Sequence, residues 1–423
     1  MTDFTALRGQ FPILDQTIHG HPLIYLDSAA TSQKPEVVIN AESDFYRSIN
    51  AGVHRGAHEL AARSTMAFEH ARASIAALVG ADAREGHEEI VVTAGATAGL
   101  NLLATAFGNA SLGRGGDAAR RFALKPGDNI VVSQAEHHSV LLPFQELAAR
   151  TGATLSWFGL TNDGRVRTDM ADDVITERTR IVAITHVGNT TGAITDIAPV
   201  VKRAHEVGAI VVLDACQSVP HLAVDFQAMG VDFAAWSAHK MYGPTGVGFL
   251  YGRRKLLEAL PPASFGGSMV ELAWMDKPAQ YMAPPARFEA GTQPVAQVVA
   301  AAVAADWMRS VGMDEIERHE RSITHELLRL GDVEGVRILG PRGEDNRIGT
   351  VAFEVEGVHP HDVGQYLDSL GIAIRVGHHC AQPVHRHFGV FASNRASTGV
   401  YNTAQEARDL VEAVRGVRPF FGA

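Results

Sequence analysis

Seven short apolar runs recur through the first 250 or so residues, each bounded by polar residues or glycine: 90–93, 130–133, 154–158, 181–185, 210–214, 232–236 and 247–251. Their apolar residues are consecutive rather than alternating, which is the pattern of strands covered on both faces. Segments of helical length separate most of them, for example 139–151 and 197–207. This alternation predicts an α/β domain built on a mostly parallel, seven-stranded sheet. About ten residues, rich in glycine, join the last two runs. That is too short for a crossover helix, so these two strands are expected to pair antiparallel.

The pattern changes near residue 261. Six of the 18 prolines fall between Pro261 and Pro294, which reads as an irregular connection. A long helix is expected to begin near Pro294, with proline in its favoured first turn. Beyond it, helices at 313–330, 360–370 and 403–414 mix with strands at 349–355 and 372–376. The expected organisation is an N-terminal arm (1–25), a large domain (26–293) and a smaller α+β domain (294–423). The Gly-, Ala- and Arg-rich segment 108–121 reads as a surface loop.

Composition narrows the function classes. The net charge of -10 argues against nucleic-acid binding and against docking on an anionic membrane. No apolar stretch approaches the roughly 18–20 residues of a membrane span, and no secretory leader pattern opens the chain. Two cysteines, Cys216 and Cys380, make no disulfide framework and fit a reducing cytoplasm.

The chemistry gathers on loops that follow strands. Lys240 comes just after the run that ends Trp236-Ser237, where a charged side chain is expected to be partly buried. Burial favours the neutral amine that Schiff-base chemistry requires. Some 26 residues upstream, the strand 210–214 ends on Asp214, with Gln217 three positions later. A lysine with an aspartate at a preceding strand end is what pyridoxal phosphate needs: the amine forms the Schiff base and the carboxylate pairs with the pyridinium nitrogen. Gln217 can donate to the phenolate oxygen of such a cofactor. The turn Gly95-Ala96-Thr97 follows the first strand and opens a helix, so its backbone N–H groups suit a phosphate, with Ser237 and His239 close to Lys240 in sequence as further partners. His137 and His138 follow the second strand, and an imidazole there can stack on a pyridine ring and move protons.

Cys380 lies in Gly377-His378-His379-Cys380, after a strand and outside any core context. Adjacent Arg375 and histidines favour its thiolate. The His-His-Cys cluster also suggests a metal, but no second cysteine at zinc-finger spacing accompanies it. Cys216 reads as packing. Arg395 is a candidate carboxylate clamp, since a guanidinium grips a carboxylate with two N–H groups.

Taken together, these segments resemble the class V aminotransferase family, and within it the SufS-type (group II) cysteine desulfurases. The resemblance rests on YLDSAATSQKP (25–35), NAGVHRGAHEL (50–60), TAGATAGLN (93–101), EHHSVLLPFQ (136–145), THVGNTTG (185–192), DACQSVPH (214–221), SAHKMYGPTGVG (237–248), RFEAGTQ (287–293), RVGHHCAQP (375–383), RAS (395–397) and YNT (401–403). It implies a homodimeric fold-type I enzyme dependent on pyridoxal phosphate. Such an enzyme converts L-cysteine to L-alanine and carries the sulfur as a persulfide for iron–sulfur cluster assembly. By the same resemblance Lys240 holds the cofactor and moves the Cα proton, Asp214 meets the ring nitrogen, Gln217 the phenolate oxygen, and His137 stacks on the ring. Ala96, Thr97, Ser237 and His239 hold the phosphate, with Thr292 reaching it from the other subunit. Asn189, Arg395 and Arg375 serve the substrate carboxylate, and Cys380 takes the sulfur.

The sequence departs from the resemblance at three places. Ala98 stands where many relatives have Glu, Gly188 where Ser precedes the asparagine, with Thr190-Thr191 in place of a more apolar pair, and Gln293 where Pro is common. His361, in His359-Pro360-His361-Asp362, resembles the relatives served by a zinc-containing, SufU-like acceptor, in which a histidine exchanges for a zinc ligand, rather than those served by SufE. A selenocysteine lyase of the same family and a non-catalytic scaffold subunit are the competing readings. Cys380 favours the first reaction over the lyase, and the intact set of Lys240, Asp214 and Cys380 argues against the scaffold.

Overall fold

The computed structural model describes residues 2–81 and 86–423. All seven apolar runs form one sheet: β1 (Ile90–Thr93), β2 (Asn129–Ser133), β3 (Thr154–Phe158), β4 (Thr179–Thr185), β5 (Ile210–Asp214), β6 (Phe233–Ser237) and β7 (Gly248–Gly252). The strand order is β1-β7-β6-β5-β4-β2-β3. From β6 across to β3 every pairing is parallel, while β7 runs antiparallel to both β6 and β1. The connection too short for a crossover helix therefore gives the expected reversal.

In every strand but the half-exposed edge strand β3, successive residues enter two different cores. Val131, Val182, Val211 and Trp236 pack on one face, and Val132, Ala183, Val212 and Ala235 on the other. That is why the runs show no alternation: there is no solvent-facing side to make polar. Helices cover both faces, among them α1 (Glu36–Ser48), α2 (Glu59–Leu78), α3 (Ala96–Ser111), α4 (His138–Thr151) and α5 (Ala198–Glu206).

The helix after Pro294 is α6 (Val295–Val311), with Pro294 itself at the cap position. Its buried face belongs to the same core as the large sheet, packed against α1 and α2. The boundary expected at residue 294 thus falls at the head of a helix that serves the large sheet. A separate core follows, around α7 (Met313–Leu328) and a four-stranded antiparallel sheet. That sheet contains β8 (Val336–Ile338), β9 (Thr350–Val355), β10 (Arg375–Gly377) and β11 (Ser393–Ser397), ordered β8-β9-β11-β10. Helices α8 (Pro360–Asp368), α9 (Gln382–Phe388) and α10 (Ala404–Arg415) complete this unit.

Three expectations need correction. The segment 108–121 is not an open loop. Helix α3 runs on through Ser111, a short helix spans Gly116–Ala119, and Ala119 and Phe122 are buried in the core. The run 372–376 is two strands: Ile372–Ala373 pairs in parallel with Ile24–Tyr25, and β10 pairs with β11. The first 25 residues are more than an arm. Leu7, Phe11 and Leu14 are buried in the large core, while Ile24 packs against the C-terminal core and pairs with Ile372. The N-terminus therefore ties the two units together.

A buried ion pair fixes one further loop. The Arg72 guanidinium meets both carboxylate oxygens of Glu289 at 2.6 and 3.0 Å, and Glu289 also accepts the Val92 N–H at 2.7 Å. Both side chains are buried. Removing one partner would strand the other, at about 3–5 kcal/mol. This anchors the segment that carries Thr292 to the edge strand β1.

Candidate active site

A cavity of about 200 Å³ opens at the C-terminal ends of the parallel strands, where the loops after β1, β2, β4, β5 and β6 converge. This is the edge at which open α/β sheets bind ligands. The loop after β1 brings Ala96 and Thr97, that after β2 His137, and that after β4 Asn189. Strand β5 ends on Asp214 with Gln217 beyond it, and β6 leads into Ser237, His239 and Lys240. The C-terminal unit closes the cavity with Arg375, His379, Cys380 and Arg395. Of the cofactor, substrate and partner residues named by the resemblance, Thr292 and His361 lie elsewhere, and His138 faces the neighbouring surface beside Cys380. Thr292 lines a second cavity together with Thr93, Gly246 and two of the departing residues, Ala98 and Gln293. His361 is exposed at the head of α8, where its N–H is capped by His359 Nδ1 at 3.2 Å.

The turn after β1 is built from backbone packed against backbone. Gly95 holds φ +135°, and a Cβ at Gly248 would come within 2.5 Å of the Gly95 Cα. Gly95 offers no side-chain cap to α3, whose first-turn residues Ala96 and Thr97 line the cavity. The Ala96 N–H donates to Ser237 Oγ at 2.9 Å, and the Thr97 and Ser139 hydroxyls meet at 2.6 Å. Several hydroxyl and N–H groups thus gather where a phosphate would sit.

Asp214 is buried at the strand end, and its Oδ1 accepts the Cys216 N–H at 2.9 Å. The other oxygen remains for a cationic ring N–H. Gln217 donates through Nε2 to Ala29 O at 3.0 Å, leaving one N–H, while its Oε1 is buried without a partner among the described residues. His137 Nδ1 accepts the Ser139 N–H at 3.0 Å, so its proton is on Nε2. Burial, then the Lys240 charge, lowers this ring to about 4, and it is a neutral donor at neutral pH. Burial and nearby lysines likewise lower His239 to about 4. Lys240 is half-buried, as expected from the apolar strand before it.

Arg375 and Arg395 stand directly opposite each other on β10 and β11. Like charges so placed repel, and the pairing makes sense for binding an anion between them. Arg395 donates to Asn189 O at 3.0 Å and Asp27 Oδ1 at 3.2 Å, leaving its Nε–H buried and unpartnered among the described residues. The Asn189 amide donates to His379 O at 2.7 Å, so it orients the Cys380 loop as well as lining the cavity. Cys380 is exposed at the mouth, with His379 and Cys380 both at positive φ, +52° and +57°. The Cys380 carbonyl accepts the His138 N–H at 2.8 Å. Cys216 also lines the cavity, but burial and the Asp214 charge push its thiol up to about 12, which leaves it unreactive.

Two features were not legible in advance. Asp27 lay within a recognised motif, yet only the long-range strand pairing places it on Arg395. Burial raises its carboxyl above the usual range despite both arginines. Glu136, next to His137, accepts from Ser133 Oγ and the Thr185 N–H, and burial pushes it up to about 8. It is therefore a neutral acid behind the site, which leaves Asp214 free of a second adjacent charge. One departure has a local cause: a Cβ on Gly188 would lie 2.7 Å from Thr191 Oγ1, so the glycine and this threonine hydroxyl compensate each other. Among the described residues no cluster of three or more His, Cys, Asp or Glu is arranged to hold a metal ion.

The sequence matches the aminotransferase class-V family over residues 24–410. It is 48% identical over 99% of its length to a probable cysteine desulfurase 2 of Mycobacterium leprae, covering 98% of that protein. It is 45% identical to a probable cysteine desulfurase of Streptomyces coelicolor, over 100% of this chain and 99% of the other. Among solved structures, the apo cysteine desulfurase of Thermococcus onnurineus superposes with a TM-score of 0.90 at 34% identity, covering 99% of both chains.

Proposed function

The chain belongs to the aminotransferase class-V family, and on that premise we propose that it is a pyridoxal-phosphate-dependent cysteine desulfurase of the SufS type. The observation that carries this reading is the convergence on one cavity of Lys240 and Asp214 from the large sheet with Cys380 from the C-terminal unit. The residues present fit the cofactor: an amine, a buried carboxylate at a strand end, an amide with an unpartnered oxygen among the described residues, and a helix N-terminus with hydroxyl groups gathered at it. Lys240 would anchor it, Asp214 would hold its ring nitrogen, Gln217 would face its phenolate oxygen, and His137 would lie over the ring. Ala96, Thr97, Ser237 and His239 would hold its phosphate. When bound, pyridoxal phosphate serves as an electron sink that acidifies the substrate Cα and loosens its Cβ–S bond.

The chain's own groups supply the rest. Arg395 and Arg375 grip the substrate carboxylate, with Asn189 beside them. Lys240 takes the Cα proton and returns it. Cys380 attacks the substrate sulfur, the Cβ–S bond breaks, and the sulfur stays on Cys380 as a persulfide. The expected products of L-cysteine with a thiol reductant are alanine and sulfide in equal amounts. Elimination of selenide from selenocysteine alone, with L-cysteine inert, would overturn this assignment.

The same reading makes the protein a homodimer, with Thr292 offered to the partner's phosphate, working in the cytoplasm to supply sulfur for iron–sulfur clusters. No helix among the described residues is long and apolar enough to cross a membrane. For the acceptor we favour a zinc-containing, SufU-like protein over a SufE-like one. His361 is exposed and free to reach a partner's metal. His361→Ala should abolish stimulation by such an acceptor while leaving reductant-driven turnover unchanged; full stimulation of the variant would rule the exchange out.

A further inference from the structure

Behind Cys380 lies a buried relay whose hydrogens can be assigned one at a time. His385 Nδ1 is 3.1 Å from Ala381 O. A carbonyl only accepts, so Nδ1 carries the proton. Burial holds this ring neutral by lowering its pKa, which leaves Nε2 as a lone pair. Ser393 Oγ lies 3.0 Å from that lone pair and must donate to it. The hydroxyl has then spent its one proton. His379 Nε2, 2.9 Å from the same Oγ, must therefore be the donor in that contact. Burial and the Arg395 charge keep His379 neutral too. Its remaining nitrogen, Nδ1, is thus fixed as an acceptor.

That acceptor has no partner among the described residues, and its residue is only 4% exposed. His379 lines the same cavity as Asn189, Arg375, Cys380 and Arg395. The Cys380 thiol is exposed and makes no bond to it. A substrate carboxylate has no proton to offer and is drawn to the arginines. The group that must come to rest beside Cys380 is the substrate thiol, a weak donor.

We infer that His379 Nδ1 accepts the S–H of the amino-acid substrate, and so seats its sulfur beside Cys380 and distinguishes a thiol side chain from one that lacks it. This rests on the reading of the activity as cysteine desulfuration. In the holoenzyme, His379→Gln keeps a polar group toward Ser393 but removes the acceptor. It should lower kcat/KM for L-cysteine about tenfold. The dissociation constant of L-alanine, read from the cofactor's visible absorbance, should change by less than about twofold. His379→Asn places an amide oxygen near the position of Nδ1 and should recover most of the loss. Equal losses for L-cysteine and L-alanine, or identical behaviour of the Gln and Asn variants, would overturn the assignment. If the His379 variants fold poorly, Ser393→Ala serves instead: it frees the tautomer and should weaken L-cysteine alone, about threefold. Weakening of both ligands would count against the relay. A wild-type enzyme that makes no alanine from L-cysteine would overturn the activity itself, whereas an active one with undiscriminating variants refutes only the role of His379.

Discussion

Cys380→Ala is expected to lower sulfur release from L-cysteine by about 10³-fold or more, while cofactor uptake and folding stay as in the wild type. The expectation follows from where the residue sits. Cys380 is exposed at the cavity mouth, and its side chain supports no core contact. None of the groups that fit the cofactor, from Asp214 to Ser237, depends on it. Its backbone does matter, because the carbonyl accepts the His138 N–H, and alanine keeps that carbonyl. The left-handed conformation at His379 and Cys380 costs roughly 1–2 kcal/mol per residue for any side chain with a Cβ, so alanine neither relieves nor adds to it. Cys216 cannot substitute as the nucleophile, since its thiol is pushed up to about 12. The measurement is sulfide and alanine formation for both proteins, with alkylation and mass determination to find the persulfide. Equal sulfide from wild type and variant would sink the persulfide route. Loss of the cofactor band in the variant would instead show that Cys380 shapes the cofactor site.

Much of this was readable from the sequence because the sheet is buried on both faces. Unbroken runs such as 210–214 have one structural solution, and the residues that follow them land at one edge. Hence Asp214, Lys240 and the Gly95 turn fall together at that edge. What stayed hidden depends on partners distant in sequence. The split at Ile374 arises because Ile372–Ala373 finds Ile24–Tyr25 as a parallel neighbour while Arg375–Gly377 finds β11. The Asp27–Arg395 contact follows from that pairing and not from any local pattern. Segment 108–121 reads as a loop from its glycines, yet Ala119 within it and Phe122 just beyond it are buried and anchor it. The His379 acceptor is a still finer case, since it emerges only when each proton along Ala381, His385, Ser393 and His379 is assigned in turn.

Lys240→Ala should abolish the visible absorbance of a lysine-bound cofactor and lower turnover by about 10⁴-fold or more. The argument concerns how firmly the chain holds the backbone at this lysine while leaving its amine free. The carbonyl of the preceding residue, His239, accepts from the Ser32 N–H at 2.9 Å, Thr31 Oγ1 at 3.0 Å, Ser32 Oγ at 3.1 Å and Lys34 Nζ at 3.2 Å. Lys34 is itself lowered to about 8 by burial, and its three contacts are all to oxygens of this clamp. The peptide before Lys240 is thus fixed by the N-terminal segment 31–34, and the side chain alone is left to move between cofactor and substrate Cα. Alanine preserves the clamp and the phosphate-facing groups, so the variant should still bind pyridoxal phosphate without a covalent link. Borohydride then separates the cases: it should fix the cofactor to the wild-type chain, detectable as a mass increase on the peptide containing Lys240, and leave the variant unmodified. A variant that still becomes modified would move the anchor to another amine, for which Lys34, half-buried against the same loop, is the nearest candidate. Retained turnover in an unmodified variant would remove Lys240 from the proton transfer as well.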